Sequence, residues 1–129
     1  MEELLSNLDV VTVLVSFVLA FLLGWLWYSP KMFLKPWAAG HGIDTTGPKT
    51  GILKPMVAQA AGTLLLAVIT NMAAQDGHVG HAVIVAVTVA FFIMSSNLYK
   101  NPKACVPARI EAGYILAMVA VMVAVNMVL

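Results

Sequence analysis

Residues 10–28 carry no charge: every position is apolar, small or hydroxyl-bearing. That is about 19 residues, enough at 1.5 Å per residue to cross a ~30 Å hydrocarbon layer. Strings of valine could also make strands, but a run this long and continuous favours a helix. Pro30 closes it by biasing Ser29 out of helical geometry. At the other end, Asn7 or Asp9 can cap the helix through a side-chain oxygen that accepts from an orphan backbone N–H.

Composition makes lipid the consistent solvent for the rest of the chain. Of its 129 residues, 61% are hydrophobic and 10% charged, against about 45–50% and about 25% in soluble domains. A chain of this length makes one domain with a high surface-to-volume ratio, so the excess could not be hidden in a core. The expectation is an all-α, polytopic membrane protein: a single integral membrane domain, residues 1–129, with four transmembrane helices in a bundle. The spans fall at about 10–28, 53–74, 81–99 and 110–129. Residues 29–52 form the long polar connection, with a short helical turn over 32–37 in the headgroup layer. Residues 75–80 make a tight turn, and 100–109 a basic loop punctuated by Pro102 and Pro107.

Charge placement orients these spans. Lys31, Lys35, Lys49, Lys54, Lys100, Lys103 and Arg109 all lie in or beside the first and third connections. The first nine residues and the 75–80 turn carry only acids (Glu2, Glu3, Asp9; Asp76). The positive-inside bias puts both basic loops in the cytoplasm and both termini outside. An acidic start lacks the positive region of a secretory signal. A net charge of +1 gives no reason to expect nucleic acid, and the single Cys105 can make no intramolecular disulfide.

Small residues four apart mark helix faces: Thr12, Ser16, Ala20 and Gly24 in the first span, Ala82, Ala86 and Ala90 in the third, Ala112, Ala120 and Ala124 in the fourth. Such faces let backbones approach in lipid, and serve internal packing or a homo-oligomer equally well. Tyr28-Ser29-Pro30-Lys31 after the first span echoes Tyr99-Lys100-Asn101-Pro102-Lys103 after the third. That echo suggests two hairpins repeated about an axis along the membrane normal, although any helix exit into a basic loop looks similar.

Four polar side chains are candidates for a path through the bundle. Gln59, Thr63 and Asn71 share a face of the second span, and Glu111 lies one turn into the fourth. A polar stripe in hydrocarbon must find partners; it either lines a route for a small solute or fixes register through interhelical hydrogen bonds. Glu111 could likewise carry protons or cations, or form an interfacial ion pair with Arg109 or a loop lysine, which its shallow depth favours. Asp76, His78 and His81 form a small outer cluster that is too sparse to specify a metal. There is no nucleophile–base pair, P-loop or glycine-rich dinucleotide turn, so neither an enzyme nor a cofactor is expected.

The stretch 26–37 is the most distinctive. Trp27, Tyr28 and Trp37 suit an interfacial aromatic belt, and Lys31 and Lys35 suit the inner surface. With Ser29, Pro30 and Phe33 they make a membrane-interface anchor. The pattern Gly24-x-x-Trp27-Tyr28-Ser29-Pro30 with Phe33 and Trp37, together with Ile110-Glu111-Ala112-Gly113-Tyr114, resembles the bacterial family known as domain of unknown function 1761. The resemblance implies a small four-span protein of the bacterial cytoplasmic membrane and carries no catalytic residues with it. Two functional classes are expected: an oligomeric transport or permeation module for a small solute, or a non-catalytic accessory subunit packed on a larger membrane partner.

Overall fold

The computed structural model describes residues 7–43 and 53–129. They form five helices: α1 (Val10–Trp27), α2 (Leu34–His41), α3 (Leu53–Gln75), α4 (Val79–Lys100) and α5 (Cys105–Val128). No strand occurs among the described residues. The four longer helices are each long and apolar enough to cross a membrane.

Local chemistry explains the boundaries. The Asp9 carboxylate accepts from the Thr12 N–H at 3.3 Å and the Thr12 hydroxyl at 2.6 Å, capping α1. Of the two residues read as possible caps, Asp9 is the one used. After Trp27 the chain turns, and the Ser29 hydroxyl donates back to the Leu26 carbonyl at 2.7 Å. α2 replaces the turn expected over 32–37 and runs further. Pro36 sits in its first turn, where a missing N–H costs nothing, and left-handed Gly42 (φ 68°) ends it. Gly77 (φ 72°) does the same for α3, with the His78 N–H donating to the Ala73 carbonyl at 2.8 Å.

The basic loop is shorter than the expected 100–109. In the sequence Pro107 reads as punctuation, but it occupies the first turn of α5, and the helix begins at Cys105. The connection shrinks to residues 101–104, where the Asn101 side chain accepts from the Lys103 N–H at 3.0 Å. A proline that breaks a helix interior is tolerated in its first turn, and hydropathy cannot tell the two positions apart.

The long helices run up, down, up, down. Asp9 at the start of α1 meets Asn71 near the end of α3, and Asn71 meets Asn126 near the end of α5. At the opposite end Trp27 reaches Ile110, and Asn97 of α4 reaches Glu111. α5 packs against all four other helices, while α1 and α4 take opposite corners. That pattern is what any up-and-down arrangement of four helices gives, so it lends the proposed duplication no independent support. The echoed tyrosines also differ: Tyr28 packs against Trp37 and Tyr114, whereas Tyr99 is 92% exposed.

The core inverts that of a water-soluble bundle. The only residues of α4 that are buried are Ala82, Ala86 and Ala90, while Phe91 and Phe92 point outward. α1 buries Thr12, Val13, Ser16 and Ala20 and exposes Leu14, Leu19, Leu22 and Trp25. Small residues inside allow close backbone approach, and large apolar ones outside suit hydrocarbon. The small-residue faces of α1 and α4 are therefore spent on internal packing. On α5, Ala112 is buried but Ala120 and Ala124 are exposed. Met118 and Met122, flexible enough to fill irregular space, are the largest fully buried side chains.

Candidate functional site

The two sequence signatures turn out to be one structural unit. Gly24 faces Tyr114: a methyl group on Gly24 would lie 2.5 Å from the Tyr114 hydroxyl. That close approach lets the hydroxyl donate to the Ala20 carbonyl at 2.9 Å. One turn further along, the Trp27 indole N–H donates to the Ile110 carbonyl at 3.0 Å, and its ring lies over Gly113. Phe33 packs on Trp27 with ring centroids 4.7 Å apart. The Tyr28 ring meets both Tyr114 (5.5 Å) and Trp37 (5.6 Å) edge-on. Pro107 fills the space beside Gly40, seating α2 on the first turns of α5.

Trp27, Tyr28 and Trp37 thus make specific contacts within the fold. Trp27 and Trp37 each spend their indole N–H on α5, and only part of each surface is left outside. Anchoring alone does not account for the stretch. Nothing in the sequence pattern of either signature revealed that they close on each other; the glycines at 24 and 113 were the available signal.

Glu111 stands at the centre of this end. Its Oε1 accepts from Trp37 Nε1 at 3.0 Å and lies 3.3 Å from His41 Nε2. Its Oε2 accepts from Asn97 Nδ2 at 2.5 Å. Among the described residues, the expected ion pair with Arg109 or a loop lysine is not formed. Arg109 Nε turns back to the Cys105 carbonyl at 3.4 Å, and among the described residues only His41 lies within ion-pair distance of the carboxylate. His41 was not singled out from sequence, because α2 was expected to end before it.

Beside Glu111 lies an open cleft of about 250 Å³, bordered by Tyr28, Gln59, Ser96, Asn97, Glu111 and Tyr114, with Ile93 and Ile115 as its aliphatic walls. It gathers side chains from α3, α4, α5 and the end of α1. Two of the four path candidates, Gln59 and Glu111, meet here. The other two do not. Thr63 is buried, donates to the Gln59 carbonyl at 2.7 Å and touches the Met118 sulfur at 3.8 Å.

Asn71 lies at the far end, where its Oδ1 accepts from the Asp9 N–H at 3.0 Å and its Nδ2 donates to Asn126 Oδ1 at 2.8 Å. This is the register-fixing use of a polar residue, with each such bond contributing about 0.6 kcal/mol. The polar stripe of α3 therefore divides into a cleft wall at one end and a helix clasp at the other.

His78 and His81 stack with centroids 5.2 Å apart. Asp76 does not complete them, and no group of three His, Cys, Asp or Glu that could hold a metal occurs among the described residues.

Four apolar helices of spanning length, with a polar cleft at one end, define a small all-α protein of membrane-protein character. The chain belongs to the family described as Protein of unknown function (DUF1761), whose model matches residues 11–127 and so covers both signatures. No curated protein and no solved structure matches the chain.

Proposed function

We propose that this is an integral protein of the bacterial cytoplasmic membrane, with its basic loops inside and the Asn71 end outside, in which the Glu111 cleft receives a small solute for passage across the bilayer. The observation that carries this reading is the cleft itself. A carboxylate, two carboxamides, a serine and two phenols converge from four segments at one end of a bundle whose long helices turn many large apolar side chains outward. Polar and ionisable groups inside a membrane bundle are costly, and they mark solute or ion pathways. Helix register, the competing use of such groups, is already served by Asn71 at the other end.

The reading is tested by flux in reconstituted vesicles, using a panel of small cationic, neutral and anionic solutes. Flux above that of protein-free vesicles, lost in a folded Glu111→Gln variant, supports it. The alternative is an accessory subunit. It has in its favour the apolar groove between α4 and α5, bordered by Val83, Leu116, Ala120 and Met127. Absent flux with co-purification of a fixed membrane partner would favour that alternative.

A further inference from the structure

We propose that the Glu111 cleft recognises a small organic ammonium ion; this rests on the solute-cleft reading above and adds the class of ligand. The argument follows the hydrogens. Asn97 Nδ2 donates both to the Ile93 carbonyl at 2.9 Å and to Glu111 Oε2. An amide nitrogen has two hydrogens, so Asn97 has only its carbonyl oxygen to offer. The Gln59 Nε2 is turned toward Thr63 Oγ1 at 3.5 Å. The Tyr114 hydroxyl gives its hydrogen to Ala20, leaving an oxygen that can only accept. Trp37, the strongest donor nearby, is already committed to Glu111.

Gln59 keeps a second N–H, and Tyr28 and Ser96 keep their hydroxyls, so the wall holds donors as well as acceptors. What selects the ligand is the Glu111 carboxylate, which must be met by hydrogens, and an ammonium brings up to three with a positive charge.

Charge and shape agree. Among the described residues, the carboxylate of Glu111 is the only acidic group bordering the cleft, and no lysine or arginine borders it. The rings of Tyr28 and Tyr114 border it as well, and aromatic faces within about 6 Å attract cations. Ile93 and Ile115 supply aliphatic wall, which suits the alkyl part of an organic cation and offers nothing to a bare metal ion. At about 250 Å³ the space lies below the usual ~300–1,000 Å³ of drug-sized pockets, so the ligand is small.

The test is saturation-transfer NMR on the full chain in phosphatidylcholine nanodiscs, with butylammonium, butanol and butyrate as probes and protein-free nanodiscs as the blank. Butylammonium is expected to bind saturably, with Kd on the order of millimolar, and at least about tenfold more tightly than the other two. Glu111→Gln should weaken it by about tenfold or more. Because that change also touches Trp37 and Asn97, Ser96→Lys provides a second variant. Ser96 is exposed, so the substitution spares packing while placing a competing ammonium at the cleft wall, and it should abolish butylammonium binding. Equal binding of all three probes overturns the ammonium assignment and leaves a solute cleft standing. Displacement of butylammonium by an equal concentration of potassium also overturns it, in favour of an inorganic ion. If no probe binds to folded protein, both the assignment and the solute-cleft reading fall.

Discussion

Gly24 and Tyr114 stand so close that only a hydrogen fits between the α1 backbone and the phenol: an added Cβ would lie 2.5 Å from the hydroxyl and 3.0 Å from the ring carbon that bears it. Gly24→Ala should gain roughly 0.5–1 kcal/mol of helix propensity but lose more, roughly 1–3 kcal/mol, to overpacking. The net is a lower unfolding midpoint in detergent. Adding Tyr114→Phe removes the clashing oxygen, so the double variant should be more stable than the sum of the single changes predicts. Strict additivity would show that the two residues do not meet.

Trp37→Phe keeps a ring against Tyr28 and removes the N–H that Glu111 accepts. A hydrogen bond to a charged group contributes about 1.5–3 kcal/mol. Amide hydrogen exchange across α2 should accelerate accordingly, while α1 stays protected. Unchanged exchange in α2 would mean that its seat on α5 depends on Gly40 and Pro107 alone.

Asn71→Leu breaks the bonds to Asp9 and Asn126 at the far end of the bundle. Stability should fall by about 1–2 kcal/mol, for two interhelical bonds and the partners left unpaired. Butylammonium binding should not change. Loss of binding with stability intact would instead put Asn71 on the solute's route.

Hydrogen bonds from the Thr12 hydroxyl and N–H hold the Asp9 carboxyl below its ordinary value of 3.8. Its contribution to stability is therefore fully present above about pH 4 and is lost as pH falls through the lowered value. Thermal midpoints measured between pH 5 and pH 2 should drop less steeply for Asp9→Asn than for the parent protein. Parallel curves would remove Asp9 from the pH response.

Cys105 is exposed at the first turn of α5. On the proposed orientation, with the basic loops inside, a membrane-impermeant maleimide should label it in permeabilised cells and leave it unlabelled in intact spheroplasts. Labelling of intact spheroplasts would reverse the topology.

Four long apolar runs are visible in the sequence because hydropathy over about 20 residues depends on no tertiary contact. The edges were less visible. Pro107 reads as a break, yet it lies in the first turn of α5, where proline is tolerated. The site was half legible: Glu111 and Gln59 stood out as polar residues in apolar surroundings, and they do share a cleft. His41, Asn97 and Ser96 did not stand out, since each lies at a helix end where polar residues are ordinary. Thr63 and Asn71 shared the helical spacing of Gln59, but spacing along one helix says nothing about which neighbour covers which turn.

The polar contacts gather toward the two ends of the bundle, and between them lie mostly alanine, methionine and threonine. α5 is thus pinned like a beam at two supports. Sliding it by one turn, about 5.4 Å, would unfasten Asn126 from Asn71 and Ile110 from Trp27 together. Between those supports, Met118 and Met122 can change shape without changing length. The two supports together resist telescoping of α5 along its own axis.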